Sequence, residues 1–153
     1  MSKRLPVDWN DMEIALTWGF DEGAHYLDVQ TGEVVSWMGS ADDALSPDDI
    51  DAGLAEHRLI WIEPLSSSVR YGWMEEFVDT VRDERLRRSL QRALSGARPF
   101  RRFKDTLEED LDERERWFAF DRERVREAAK EWLEENGIEA SSADDEVRAR
   151  RAT

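Results

Sequence analysis

From Ser66 to Asn136 the chain carries only helical patterns, and every strand-like run lies before Ser66. That order constrains the fold more than any other feature. Alternating strands and helices would build a parallel sheet with crossovers, whereas strands early and helices late give a segregated α+β arrangement. The expected architecture is α+β: a small antiparallel sheet of about three strands in the N-terminal half, packed with a mostly helical C-terminal half.

The strand-like runs are Ala24 to Val29, Glu33 to Met38 and Arg58 to Glu63. The first two flank Gln30-Thr31-Gly32, where glycine supplies the positive φ of a tight reversal, so they are predicted to form a hairpin. Leu27 and Val29 share one face of the first strand, and Tyr26 and Asp28 the other. Two short helices are predicted around these strands. Asp8 caps a run with Trp9, Met12 and Leu16 at i, i+3 and i+7, which Gly19 is expected to end. Ser46-Pro47-Asp48-Asp49 supplies a cap, a first-turn proline and an acid for a helix reaching the neighbourhood of His57.

In the second half, Ser66-Ser67-Ser68 offers caps for a helix carrying Trp73, Phe77 and Val81 on one face, with Met74 and Val78 beside them. Asp83 caps the next helix, whose apolar stripe is Leu86, Leu90, Ala93 and Leu94 and whose end is Ser95-Gly96. Pro99 opens another, with Phe100, Phe103 and Leu107 in helical register. A long helix is predicted from about Asp112 to Asn136, stopped by Gly137, with Phe118, Val125, Ala129 and Trp132 on one side. One domain over residues 1–139 is expected, followed by a disordered charged tail at 140–153.

The motifs Tyr26-Leu27-Asp28, Thr31-Gly32-Glu33-Val34, Arg70-Tyr71-Gly72-Trp73-Met74-Glu75-Glu76-Phe77 and Asp83-Glu84-Arg85-Leu86 follow one another in this order. Phe100-Arg101-Arg102-Phe103-Lys104-Asp105, Arg116-Trp117-Phe118-Ala119-Phe120, Glu131-Trp132-Leu133 and Gly137-Ile138 continue the series. The series resembles the bacterial Uncharacterised Protein Family 0158 from Val7 to Ile138. The resemblance implies a complete small bacterial protein and brings no catalytic residues with it.

Composition narrows the chemistry. Seven tryptophans and 40% apolar residues can supply a core for a chain of 153 residues. Without cysteine, disulfides, thiolate zinc sites and cysteine nucleophiles are excluded. No apolar run reaches the ~18 residues of a membrane span, and Lys3-Arg4 precede no apolar stretch. A cytoplasmic, non-membrane protein is expected.

No glycine-rich phosphate loop, dinucleotide fingerprint or paired-histidine metal helix is present. His25 and His57 read as ordinary histidines near a sheet. Asp42, Asp43, Asp48, Asp49 and Asp51 do not make a calcium loop: counted from Asp49, Gly53 stands at a ligand position and Ile60 where the closing glutamate belongs. Helix-start acids and solvated turns explain them. Glu75 and Glu76, adjacent on a helix, point about 100° apart and do not converge. No catalytic residue, metal ligand or cofactor is assigned.

The remaining lead is charge. Residues 82–104 hold nine basic and two acidic side chains in a chain of net charge −14. Arg85, Arg88 and Arg92 share the helix face opposite Leu86, Leu90 and Ala93. Arg98, Arg101, Arg102 and Lys104 follow, and a turn at Gly96 would bring the two groups together. The expected function is non-catalytic binding of a protein partner, or of a second copy, through these seven cations. Nucleic-acid binding is the alternative, although the phenylalanine spacing suits a core better than a stacking platform. A third reading has the acidic first half mimic a polyanion toward a basic partner. The plain reading is solvated helix surface trimmed by i, i+4 pairs such as Arg101–Asp105 and Lys104–Glu108.

Overall fold

The computed structural model describes residues 3–17, 23–39, 43 and 45–141. Its elements are β1 (Lys3–Leu5), α1 (Trp9–Thr17), β2 (Ala24–Asp28), β3 (Val34–Trp37), α2 (Pro47–Ala55), β4 (Leu59–Trp61), α3 (Ser67–Asp79), α4 (Glu84–Ser95), α5 (Pro99–Leu107), α6 (Leu111–Glu135) and β5 (Ile138–Ala140). The chain is α+β, with a three-stranded antiparallel sheet ordered β3-β2-β4 in the N-terminal half and a mostly helical C-terminal half. Among the described residues no helix is long and apolar enough to cross a membrane.

The chain divides into two compact units. Residues 1–64 and 125–153 form the first and residues 65–124 the second. Helix α6 is shared: its residues to Arg124 fall in the second unit and those from Val125 in the first.

In the first unit the caps act as the sequence predicts. Asp8 accepts the Asp11 N–H at 3.1 Å. Ser46 and Asp49 form a reciprocal capping box ahead of α2. These bonds satisfy donors that a helix start leaves without partners. The backbone and side-chain hydrogen bonds from Ser46 hold the Asp49 carboxyl below its ordinary pKa. Leu27 is fully buried and pairs across the sheet with Val34 and Ile60. Gly53 of α2 lies against Leu59, where an added Cβ would come within 2.6 Å of that side chain. The predicted helix end at Gly19 and the residue Asp42 lie outside the described residues.

A second, two-stranded sheet has no precursor in the sequence reading. It pairs β1 with β5 in parallel, Lys3 opposite Ile138 and Leu5 opposite Ala140. Ala140, assigned by the sequence to the tail, therefore ends a strand. Ser141 is buried and donates to the Leu5 carbonyl at 2.7 Å. The rest of the expected tail, 142–153, lies outside the described residues.

The second unit gathers Phe77, Leu90, Phe103, Leu107 and Trp117 into one buried cluster. Phe103 and Trp117 meet edge to face at 5.0 Å, and Phe77 and Trp117 at 5.3 Å, a favoured aromatic geometry. This corrects the predicted side of α6. Phe118 is 39% exposed and the inward ring is Trp117, at 3%. At about 100° per residue, Trp117 stands about 80° around the helix from Val125, whereas Phe118 is nearly aligned with it. The two halves of α6 bury different sides, so a single stripe drawn back from Val125 selects the wrong ring.

Candidate functional site

The cationic surface is built from α4 and α5, which pack against each other across the short connection at Gly96. Asp83 caps α4 by accepting the Leu86 N–H at 3.2 Å. Glu84 in the first turn and Arg92 in the last complement the helix dipole. Leu86, Leu90, Ala93 and Leu94 are buried, as their spacing predicts. Tyr71 of α3 fixes the end of the helix, its hydroxyl donating to the Leu94 carbonyl at 2.7 Å. Pro99 starts α5, with Phe103 and Leu107 buried and Phe100 half-buried.

All seven predicted cations, Arg85, Arg88, Arg92, Arg98, Arg101, Arg102 and Lys104, are exposed. Among the described residues Arg88 alone of the seven closes an ion pair, with Glu84 at 2.7 Å and both side chains more than 60% exposed. The expected pairs Arg101–Asp105 and Lys104–Glu108 do not close. Lys104 stands near enough to Asp121 to act on its titration. Among the described residues the belt therefore finds little of the counter-charge that the solvated-surface reading would supply.

Three of these cations meet at the Gly96 corner. Arg88 and Arg92 border a surface depression of about 380 Å³ together with Gln91, Ser95 and Gly96. Arg102 reaches the same corner from α5: a Cβ on Gly96 would lie 2.6 Å from its Nη1. Gly96 has φ −99°, so its value here is space for that guanidinium and not an unusual backbone. Arg85, Arg98, Arg101 and Lys104 do not border the depression.

On the α3 side of α4 a smaller depression of about 200 Å³ also includes Gln91 and Ser95, but its charged walls are Glu75 and Asp79. Gln91 and Ser95 thus border both a cationic and an acidic depression. Deeper in, Asp121 and Arg70 stand 3.7 Å apart, each with a buried polar atom lacking a hydrogen bond. Burial raises the Asp121 pKa against the opposing pull of Arg70 and Lys104. Sequence reading missed this pair because its members are 51 positions apart and no local pattern links them.

The two histidines do not assemble a site. His25 is buried on β2, where desolvation lowers its pKa and Asp11 opposes the shift. His57 is exposed after α2 in a left-handed conformation, φ 57°. Neither borders the two depressions on α4. Among the described residues no group of three or more acids or histidines is placed to hold a metal ion.

Comparison with known proteins matches residues 5–152 to the profile of the uncharacterised protein family UPF0158. The match runs past Ile138, where the resemblance in sequence motifs ended, and takes in the C-terminal segment. The chain is 33% identical over 141 residues to the UPF0158 protein PA5073 of Pseudomonas aeruginosa, covering 90% of this chain and 88% of that one. No solved structure matches.

Proposed function

The chain belongs to the uncharacterised protein family UPF0158, and from that premise we propose that it is a small cytoplasmic bacterial binding protein. It works without catalysis, through the cationic face of α4 and α5, on an acidic surface of a partner protein. The observation that carries this reading is the scarcity of counter-charge: seven exposed cations on two packed helices, of which only Arg88 has an ion pair among the described residues. Arginine forks pair carboxylates bidentately and are enriched in protein interfaces.

Two features favour a protein over a nucleic acid. Phe103 is buried and Phe100 half-buried, so the belt offers no open row of rings for bases to stack on. The chain as a whole carries −14, which opposes a long polyanion at low salt. The test is affinity capture from a bacterial lysate with the parent chain and with the double variant Arg92→Glu, Arg102→Glu, each with and without nuclease. A captured protein that survives nuclease and is lost with the double variant is expected. Capture that vanishes with nuclease would transfer the surface to nucleic acid. Capture unaffected by the reversal would end the proposal.

A further inference from the structure

Among the described residues strand β5 is paired on one edge alone, by β1. In a parallel pair each bridging residue bonds the two neighbours of its opposite number. Here Lys3 donates to the Gly137 carbonyl and Ser141 to the Leu5 carbonyl, both at 2.7 Å, around the pairs Lys3–Ile138 and Leu5–Ala140. Gly137, Glu139 and Ser141 are thereby turned toward β1. The N–H and C=O groups of Ile138 and Ala140 point the other way, and no hydrogen bond reaches them among the described residues.

Beside that edge lies a depression of about 420 Å³ bordered by β5, by Trp9, and by Lys130, Leu133 and Glu134 of α6. No β1 residue borders it, so it sits on the side of β5 away from β1. Trp9 is held in place by Arg126, whose guanidinium lies 5.8 Å from the ring and 3.3 Å from Glu13. A groove between a helix and an unpaired strand edge is the setting in which extended peptides add as a further strand.

We infer that this groove accepts an extended, basic segment of another protein as a third strand beside β5. The period of a strand fixes the chemistry of the occupant. Its side chains alternate between faces. Those on the side of buried Ile138 continue a buried face and must be apolar. Those on the side of exposed Glu139 neighbour its carboxylate, which has Arg4 of β1 opposite it on the other edge, and are cationic, since opposite charges across neighbouring strands stabilise the pair. The surroundings are acidic on balance: along this part of α6 Glu127, Glu131, Glu134 and Glu135 are exposed beside two cations, Arg126 and Lys130. The same logic argues against a second copy. Edge-to-edge pairing of two β5 strands would set Glu139 beside Glu139 and join two strongly acidic units.

The inference is independent of the cationic face of α4 and α5. Its test is an amide NMR titration of the full chain with a capped synthetic octapeptide alternating valine and arginine. A control octapeptide alternates proline and arginine, with equal charge and no strand-forming capacity. The valine peptide is expected to shift the Ile138 and Ala140 amides and to slow their hydrogen exchange, with Glu139→Lys weakening it at least about tenfold. Ala140→Pro removes one outward N–H and leaves the bonds of Glu139 and Ser141 to β1; it should abolish the protection at Ile138. Equal binding of both peptides, or shifts confined to acidic residues elsewhere, would overturn the inference. Arg92→Glu should leave this titration unchanged.

Discussion

The unit formed by residues 1–64 and 125–153 holds eight basic and twenty-two acidic side chains, whereas residues 65–124 hold fourteen of each. The first unit carries the whole net charge of the chain and carries it broadly. The second is neutral in sum, with seven cations and two acids on α4 and α5 and mixed charges on α3 and α6. Net charge therefore bears on a long polyanion that meets the chain as a whole, and the charge of each face on a local contact. A neutral unit presents the cationic face, and the acidic unit presents the open strand edge with its carboxylates.

The contrast can be broken most forcefully through the two cores. Phe103→Ala in the second unit should cost about 3–5 kcal/mol and Leu27→Ala in the first about 2–5 kcal/mol. If the units open separately, native-state hydrogen exchange will rise at Leu86 and Leu90 in the first variant and at Tyr26 and Leu27 in the second. A uniform rise across both units in either variant would make them one cooperative body.

Helix caps give a smaller, paired measure. Ser46→Ala ahead of α2 and Asp83→Ala ahead of α4 should each cost about 1 kcal/mol in denaturant unfolding, since each leaves a first-turn N–H without its acceptor. A loss below a few tenths in one unit only would show that its helix start is held by something other than the cap.

Acidity should move the two units in opposite directions. Burial lowers the folded-state pKa of His25 below 6.5, so the first unit keeps that contribution above pH 6.5 and loses it as pH falls through the lowered value. Burial raises the folded-state pKa of Asp121 above 3.8. Its contribution is full below 3.8 and is lost as pH rises through the raised value, so the second unit gains as pH falls. His25→Gln and Asp121→Asn should flatten the two trends, read by hydrogen exchange in each unit. An Asp121→Asn variant with an unaltered pH profile would remove that residue from the explanation.

The smallest effect is expected at the Arg88–Glu84 pair of the belt. Arg88→Ala should change stability by only about 0.3–0.5 kcal/mol, because both partners are exposed and screened. A larger change would mean that the cationic face is held together internally, which sharpens the case against a partner.

The fold was legible where its signals are local. Asp8, Ser46, Ser66 and Asp83 marked helix starts because a cap acts within one turn. Leu86, Leu90 and Leu94 against Arg85, Arg88 and Arg92 gave the orientation of α4, because helical period puts them on opposite sides. The hairpin of β2 and β3 followed from two runs around one glycine, with ends misplaced by a residue or so. The exposure of the seven cations was legible for the same reason.

Sequence by itself thus determined the α+β order, the helix faces and the composition of the basic belt. Tertiary structure decided the partners. It paired Lys3–Leu5 with Ile138–Ala140, which no neighbouring pattern announces. It turned α6 so that Trp117 and Val125 are buried on different sides. It brought Arg102 over Gly96. The physical reason is range: caps and periodicity are fixed by residues within a turn or two, whereas the choice among distant surfaces depends on how whole elements fill a shared core.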